Sequence, residues 1–598
     1  MNKKLLVTIF SCSLTLMSCG DWLDKLPQDK MSPETFFSNE KELQAYSNAF
    51  YNSFPSSSLY RDDLDNITHG SAAAIMRDGR VVPSTGGGWD WGNLRNFNTL
   101  LEYSVNCDDA NVRTQYDALA RFFRAYFYFE KVKNFGDVPW YDRQIDSDDE
   151  AMLKKPRDSR EYVMQRMIED IDYAIANLSK ERSLYRVTKW TALALKSRFC
   201  LFEGTFRKYH NISYPEHSWE YYLEQSAAAA SELIEHSGYS LYTEGGKDVC
   251  YRNLFSSHRA QECEVILARN LNAEYKVYCD VGQYLTNQTY GRPGVTKKII
   301  NSYLMKDGTR FTDKPGYDKM SFMEECKNRD PRLAQSIRTP GYKRIGSTKQ
   351  VAPDLAASIT GYQPTKFLGT ETQDAGGTSD NDLIIFRLGE VYLNYAEARA
   401  ELNNNRLTQA DLDKTINKLR DRVGMKHLSM KVANDNIDPY LDNKATGYIG
   451  VTGPNKGVIL EIRRERSIEL LQENFRTSDI LRWKEGQILT QRLLGIYFES
   501  INKEVDLDGD GAPDVCLYNV DPSNKKDGIT YLKVKVKEGE EGEIILSDGD
   551  HGYIEPHKNI KFSFNEERDY LSPIPSNERT LTGGALTQNP GWEDGLHF

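Results

Sequence analysis

The chain has few cysteines, scattered histidines and no apolar run long enough to cross a bilayer after its first twenty residues. Seven cysteines follow residue 19: Cys107, Cys200, Cys250, Cys263, Cys279, Cys326 and Cys516. Their number is odd and their spacing irregular, which excludes a disulfide framework and zinc-finger spacing. The nine histidines form no HExxH pair. A GxSxG elbow and a GxxxxGK[ST] phosphate loop are both missing. These absences remove the main motif-borne catalytic chemistries, and the chain is read as a binding protein and not an enzyme. A glycosidase carboxylate pair stays open, because its separation is spatial and not sequential. Basic charge is also short. The formal net charge is -11 and becomes more negative without Lys3 and Lys4. Such a body is a poor partner for a phosphate backbone.

What is present begins at the N-terminus. Lys3 and Lys4 precede an apolar stretch from Leu5 to Met17, followed by Ser18 and Cys19. A basic end, a short apolar run and a small residue before the cut describe a secretory signal. Leu16 to Cys19 resembles a bacterial lipobox, in which the cut precedes the cysteine and its thiol receives lipid. Residues 1–18 then form the signal peptide and 19–598 the mature body. An ordinary signal with Cys19 incidental is the other reading. Several acyl chains, at about 0.8 kcal/mol per buried methylene, would make an effectively stable tether.

Apolar periodicity predicts helices over most of the body. The first starts near Asn39, with Glu42 at capping-box spacing and Leu43, Tyr46, Phe50 and Phe54 on one face. Residues 56–90 read as a long glycine-rich loop. Arg113 to Gly136 is apolar nearly all round and should be buried. Further helices are expected from Asp158, from Thr188 to Gly204, from Glu216 to Gly238, from Leu383 to Leu402, around Leu412 to Gly424, and from Val458 to Phe475. Short links make successive helices antiparallel neighbours. The fold class is therefore mostly α, with helical hairpins over about 39–238 and 383–483. Segments 239–382 and 484–598 are loop-rich and mixed.

Five segments carry a family resemblance. They are ARFFRAYFYFEKVKNFGDVPW (120–140), NRDPRL (328–333), RLGEVYLNYAEARAELN (387–403), IRRERSIELLQENFRTSDILRW (462–483) and YLSPIPSNE (570–578). In this order, behind a lipobox, they resemble the SusD/RagB family of outer-membrane nutrient-binding lipoproteins. The resemblance implies tetratricopeptide-like hairpins with a loop-rich subdomain. It also implies surface exposure on the outer membrane, oligosaccharide ligands and partnership with a SusC-type TonB-dependent transporter. A helical-repeat scaffold for peptide or protein ligands is the competing class.

Candidate ligand residues are chosen on physical grounds. Sugar C–H faces stack on indole or phenol, while amides and guanidinium groups bond the hydroxyls. Trp89, Trp91, Asn93 and Arg95, just after Gly86–Gly88, have this composition; burial of Trp91 at a helix start is the alternative. Tyr284 and Tyr290 flank Asn287 and Gln288 in a second loop. A different chemistry is written at Asp506, Asp508, Asp510, Gly511 and Asp514, which match positions one, three, five, six and nine of a calcium loop. Leu517 stands where a bidentate glutamate would complete the set. The loop is a candidate for structural Ca2+, or else a solvated acidic turn. Arg463, Arg464 and Arg466, with Glu461, Glu465 and Glu469, are expected to pair along one helix.

Overall fold

A computed structural model describes residues 36–402, 406–536 and 542–598. Cys19 and the signal expected over residues 1–18 lie outside the described residues. The architecture is mostly helical, with a few short strands. No described helix is long and apolar enough to cross a membrane.

The N-terminal part is built from aromatic packing. Helix α1 (Glu40–Ser47) is capped by Asn39, whose side chain accepts from the Glu42 N–H. The Glu42 carboxylate reaches Ser38 instead of completing the box on Asn39. A 3-10 turn, Asn48–Ser53, continues α1 and delivers Phe50, Tyr51 and, just beyond it, Phe54 to the core. Helices α2 (Gly92–Tyr103) and α3 (Ala110–Phe135) pack beside it. On α3, Phe123 is the hub. Its ring meets Phe50, Tyr51, Phe54, Phe97 and Phe122 at centroid distances of 5.7, 5.2, 5.2, 5.7 and 5.2 Å. Edge-to-face rings at such distances add to the gain from simple burial. Gly136 ends α3 at φ 73°, a conformation that a side chain would strain.

Helix α4 (Arg160–Asn177) starts two residues later than expected. Ser159 is its cap, because the Asp158 carboxylate is taken by the Trp140 N–H. Helix α5 (Lys189–His210) runs straight through Gly204, where a stop was expected. There a Cβ would lie 2.7 Å from Leu223 of α6 (Trp219–His236), so glycine serves close helix approach and not termination. Helices α5 and α6 form a hairpin, and α6 packs in turn on α7 (Leu388–Glu401). Residues 383–387 are not helical, contrary to the periodicity. They form a strand, Leu383–Arg387, paired antiparallel with Val265–Arg269. Five consecutive buried residues satisfy a buried strand as well as a buried helix.

Helix α8 (Ile416–Val423) ends at Gly424 in the left-handed region. Helix α9 (Lys456–Glu469) lies against α7, and α10 (Arg476–Arg482) follows it. The loop-rich remainder gathers a second apolar core around Ile299, Tyr303, Ile337, Ile496 and Leu517. It includes a three-stranded sheet of β-strands Lys503–Val505, Val515–Tyr518 and Thr530–Lys533, the first pair antiparallel and the second parallel.

The arginines of α9 are structural, but their partners differ from expectation. Arg464 does reach Glu461 at 3.3 Å along the helix. The other close bonds leave it: Arg463 to Glu485 at 3.2 Å and Arg466 to Asp479 at 2.8 Å. Glu469 accepts from Arg422 at 2.6 Å, Arg387 at 2.8 Å and Arg332 at 3.2 Å. Apart from half-buried Glu461, these side chains are buried, so pairing across elements is the main way their charges are satisfied.

Candidate functional site: a tryptophan cleft and a tyrosine–arginine cluster

The start of α2 places the first candidate group. The chain arrives through Gly86, Gly87 and Gly88, all at positive φ, and Trp91 occupies the N-cap position. Trp89 is buried, 7% exposed, with its ring 4.9 Å from Phe135 and 5.3 Å from Trp91. Trp91 is half-buried against Phe127 and Tyr141 at 5.6 Å each. Lys131 lies beneath, its Nζ 5.3 Å from the Trp91 ring centroid and donating to the Gly88 carbonyl at 2.5 Å. Burial pushes the Lys131 ammonium down to about 8, with Asp90 and Glu130 partly opposing.

Trp89, Trp91, Arg95, Asn98, Tyr141 and Arg143 line a cleft of about 340 Å³, closed on one side by Glu578 and Leu586. This size falls within the usual range for ligand sites. Aromatic faces, guanidinium groups and an amide therefore share one concavity. Asn93 is exposed on the first turn of α2. Tyr141 and Arg143 escape sequence reasoning because they sit in the connection after α3, and only the fold brings them to the start of α2.

The second candidate group divides. Tyr284 is only 2% exposed, its hydroxyl bonded to His69 and its ring 5.8 Å from Tyr60. The expectation of an exposed stacking ring is corrected there: Tyr284 lies on a short helix, Val281–Thr286, whose inner face it fills. Tyr290 is half-buried and joins Arg61 and Asp280. The Asp280 carboxylate accepts from Tyr60, Tyr290 and Arg61. Burial opposes its ionisation, but the Tyr290 and Tyr60 hydroxyls and the Arg61 guanidinium hold it below the usual carboxylate range. Exposed rings stand nearby in the chain at Tyr275 and Tyr278, 72% and 37% exposed, the first on a turn closed by the Asn272–Val277 pair and the second just after it. The two candidate groups have different walls: residues 139–155 and 578–586 for the tryptophans, 60–69 and 280 for the tyrosines.

The acidic loop connects the first two strands of the C-terminal sheet. Carboxylate oxygens of Asp506, Asp508 and Asp514 lie within 4.8 Å of one another. Asp510 stands apart, accepting from the Ala512 N–H at 2.7 Å. Asp506 accepts from Gly509 and Gly511, and Asp514 from Leu507 and Asp508. Burial pushes the Asp508 carboxyl up; Asp514, Asp510 and Asp506 add to this, against the Asp510 N–H. Leu517 is core, so it offers no twelfth ligand. Hard oxygen donors converge here, which suits a cation such as Ca2+.

Comparison with known proteins identifies the class. The model of the SusD family matches residues 263–592. A second, described as starch-binding associating with outer membrane, matches residues 21–201. The chain belongs to the SusD family.

Among individual relatives, it is 22% identical over 529 residues to a SusD-like protein of Formosa agariphila, covering 79% of this chain and 88% of that one. The fold matches a SusD-like protein of Bacteroides fragilis with a TM-score of 0.67 at 21% identity, covering 95% of this chain and all of the other. It also matches a SusD-like carbohydrate-binding protein of the same species with a TM-score of 0.65 at 20% identity, covering 92% and 99%.

Proposed function

We propose that this chain is a cell-surface glycan-binding lipoprotein, not an enzyme, that captures oligosaccharides and passes them to a SusC-type TonB-dependent outer-membrane transporter. The observation that carries the reading is the cleft in which Trp91 and Tyr141 face Arg95, Asn98 and Arg143. Stacking supplies affinity for the sugar faces, and the polar groups choose among hydroxyl patterns. Membership of the SusD family, and the match of residues 21–201 to a model described as starch-binding associating with outer membrane, support it. The lipobox-like end at Cys19 supports a tether. In the same reading Asp506, Asp508 and Asp514 hold a structural Ca2+, with Asp510 as an outer ligand.

A glycan array probed with the chain from Asp21 tests the ligand class. Saturable binding to neutral or acidic oligosaccharides is expected; binding to peptides alone would favour the scaffold reading instead. Fractionation of cells carrying Cys19→Ala tests the tether. The variant should leave the membrane fraction, and retention without the transporter would contradict lipid anchoring.

A further inference from the structure

A cleft of about 660 Å³ lies at the junction of residues 297–301, 317–318, 440–446, 490–494 and 553. It shares no lining residue with the tryptophan cleft. Three tyrosines border it: Tyr317 and Tyr553 are half-buried, and Tyr440 is 8% exposed. Their arrangement is held by backbone carbonyls of the cavity wall and by one further ring. Tyr440 donates to the Lys298 carbonyl at 3.2 Å, Tyr553 donates to the Asp318 carbonyl, and the Tyr553 ring packs at 5.3 Å on Tyr497.

Three of the five charged residues lining this cleft are paired, while Asp318 and Lys444 are exposed. Lys297 pairs with Glu325, Lys298 with Asp65 at 2.9 Å, and Arg492 with Glu555 at 2.6 Å. The buried polar atoms left without a partner on its lining residues are of one kind. Asn301 is 7% exposed, and its Oδ1 is buried without a hydrogen-bond partner among the described groups. Gln491 spends its Nε2 on the Lys444 carbonyl at 2.7 Å, and its Oε1 is likewise buried and unpartnered. Two orphan acceptors on residues that line one cavity are costly to the folded chain unless a small turn of each side chain lets a donor reach them. A carboxylate or phosphate would bring further acceptors and repel both oxygens. A hydroxyl would donate to each, and a sugar ring carries hydroxyls beside a C–H face suited to tyrosine.

We infer that this cleft is a second saccharide site, taking a short uncharged sugar segment whose hydroxyls donate to Asn301 Oδ1 and Gln491 Oε1. The inference rests on the reading of the protein as a glycan binder, but not on the tryptophan cleft as the place of binding. It gives the chain two points of purchase on one long glycan or on two short ones, and linked sites raise overall avidity without new contacts.

The test measures affinity by calorimetry for neutral oligosaccharides from starch, laminarin, cellulose, xylan and mannan, with pectin oligogalacturonides as the charged comparison. Proteins are the chain from Asp21, its Asn301→Leu and Gln491→Met variants, and each of these combined with Trp91→Ala. Each single variant should weaken binding of a neutral oligosaccharide about five-fold, the loss of one hydrogen bond. Asn301→Leu should also keep or raise the melting temperature, because an unsatisfied buried acceptor disappears. A merely structural asparagine would give the opposite sign. Binding left in Trp91→Ala should weaken about five-fold further when Gln491→Met is added. If Asn301→Leu melts lower, the partly exposed Gln491→Met decides by the same affinity criterion. Wild-type affinity in both variants, with loss in Trp91→Ala, would overturn this site and leave the functional reading standing. Preference for oligogalacturonides or for peptides would overturn the site as stated. No binding of any oligosaccharide by the wild type would overturn both.

Discussion

Two halves of the scaffold are held together by opposite chemistries. Around α3, rings from three helices interlock, with Phe123 touching five other aromatic rings. Around α9, the interior is ionic, and Glu469 alone takes three guanidinium groups brought by residues 332, 387 and 422. Aromatic packing is short-ranged and tolerant of gradual change, since each contact is worth little by itself. A buried ion network is all or nothing, because removing one member leaves the others charged and unpaired. The ionic seam also ties distant segments, from Asp65 through Arg476 to α9 by way of Ser467, so it fixes how loops meet helices.

The sharpest way to break the comparison is to make one conservative change in each half. Glu469→Gln keeps shape but removes the charge, and should cost about 3–5 kcal/mol in denaturant unfolding. Phe123→Leu should cost less, about 1–3 kcal/mol, from lost apolar area and a partly relaxed cavity. Equal costs would mean that the seam is no more fragile than the aromatic core.

Acid separates the halves by another route. Burial opposes ionisation of Glu469, but Arg422, Arg387 and Arg332 hold its carboxyl well below the usual range. Its folded pKa is depressed, so its contribution is present above the unfolded value and is lost only as pH falls through the folded one. His210, stacked on Phe206 at 4.0 Å and donating to the Leu481 carbonyl at 2.9 Å, is pushed by burial down to about 4. The unfolded chain binds this proton first, so stability should fall as pH drops from about 6.5 to about 4, by up to about 3 kcal/mol. His210→Asn should flatten that portion of a melting-temperature profile, and an unchanged slope would assign it elsewhere. The smallest effect is expected in the C-terminal sheet. Chelation should lower the melting temperature by a few degrees if Ca2+ is bound, through mass action on the folded state, and Asp508→Ala should abolish the response. A wild-type melt indifferent to calcium would remove the ion.

The aromatic half was largely legible in the sequence. Leu43, Tyr46, Phe50 and Phe54 recur at helical spacing, and Gly136 ends α3 where expected. The ionic half was legible only as helices. A buried arginine leaves no apolar period, so Arg463 and Arg466 read as surface pairs along one helix, although their partners at 485 and 479 lie beyond it. Residues 383–387 read as helix because a fully buried strand has no alternation to reveal it. At the candidate site, composition singled out Trp91 and Arg95, which line the cleft, but could not tell a lining ring from a core ring. Trp89 and Tyr284 are core. Tyr141, Arg143, Asn301 and Gln491 were illegible, because each becomes meaningful only when distant segments meet.

The most direct test of the account is the affinity of the Trp91→Ala chain for the oligosaccharide that the wild type binds best on the array. Loss of a stacking ring should cost about 1–3 kcal/mol, by analogy with bases stacked on aromatic side chains, or roughly five- to hundred-fold in Kd. The melting temperature should stay close to that of the wild type, in contrast to Trp89→Ala, which should lower it. Wild-type affinity in a normally folded Trp91→Ala chain would contradict the assignment of the tryptophan cleft as the place where this protein holds its glycan.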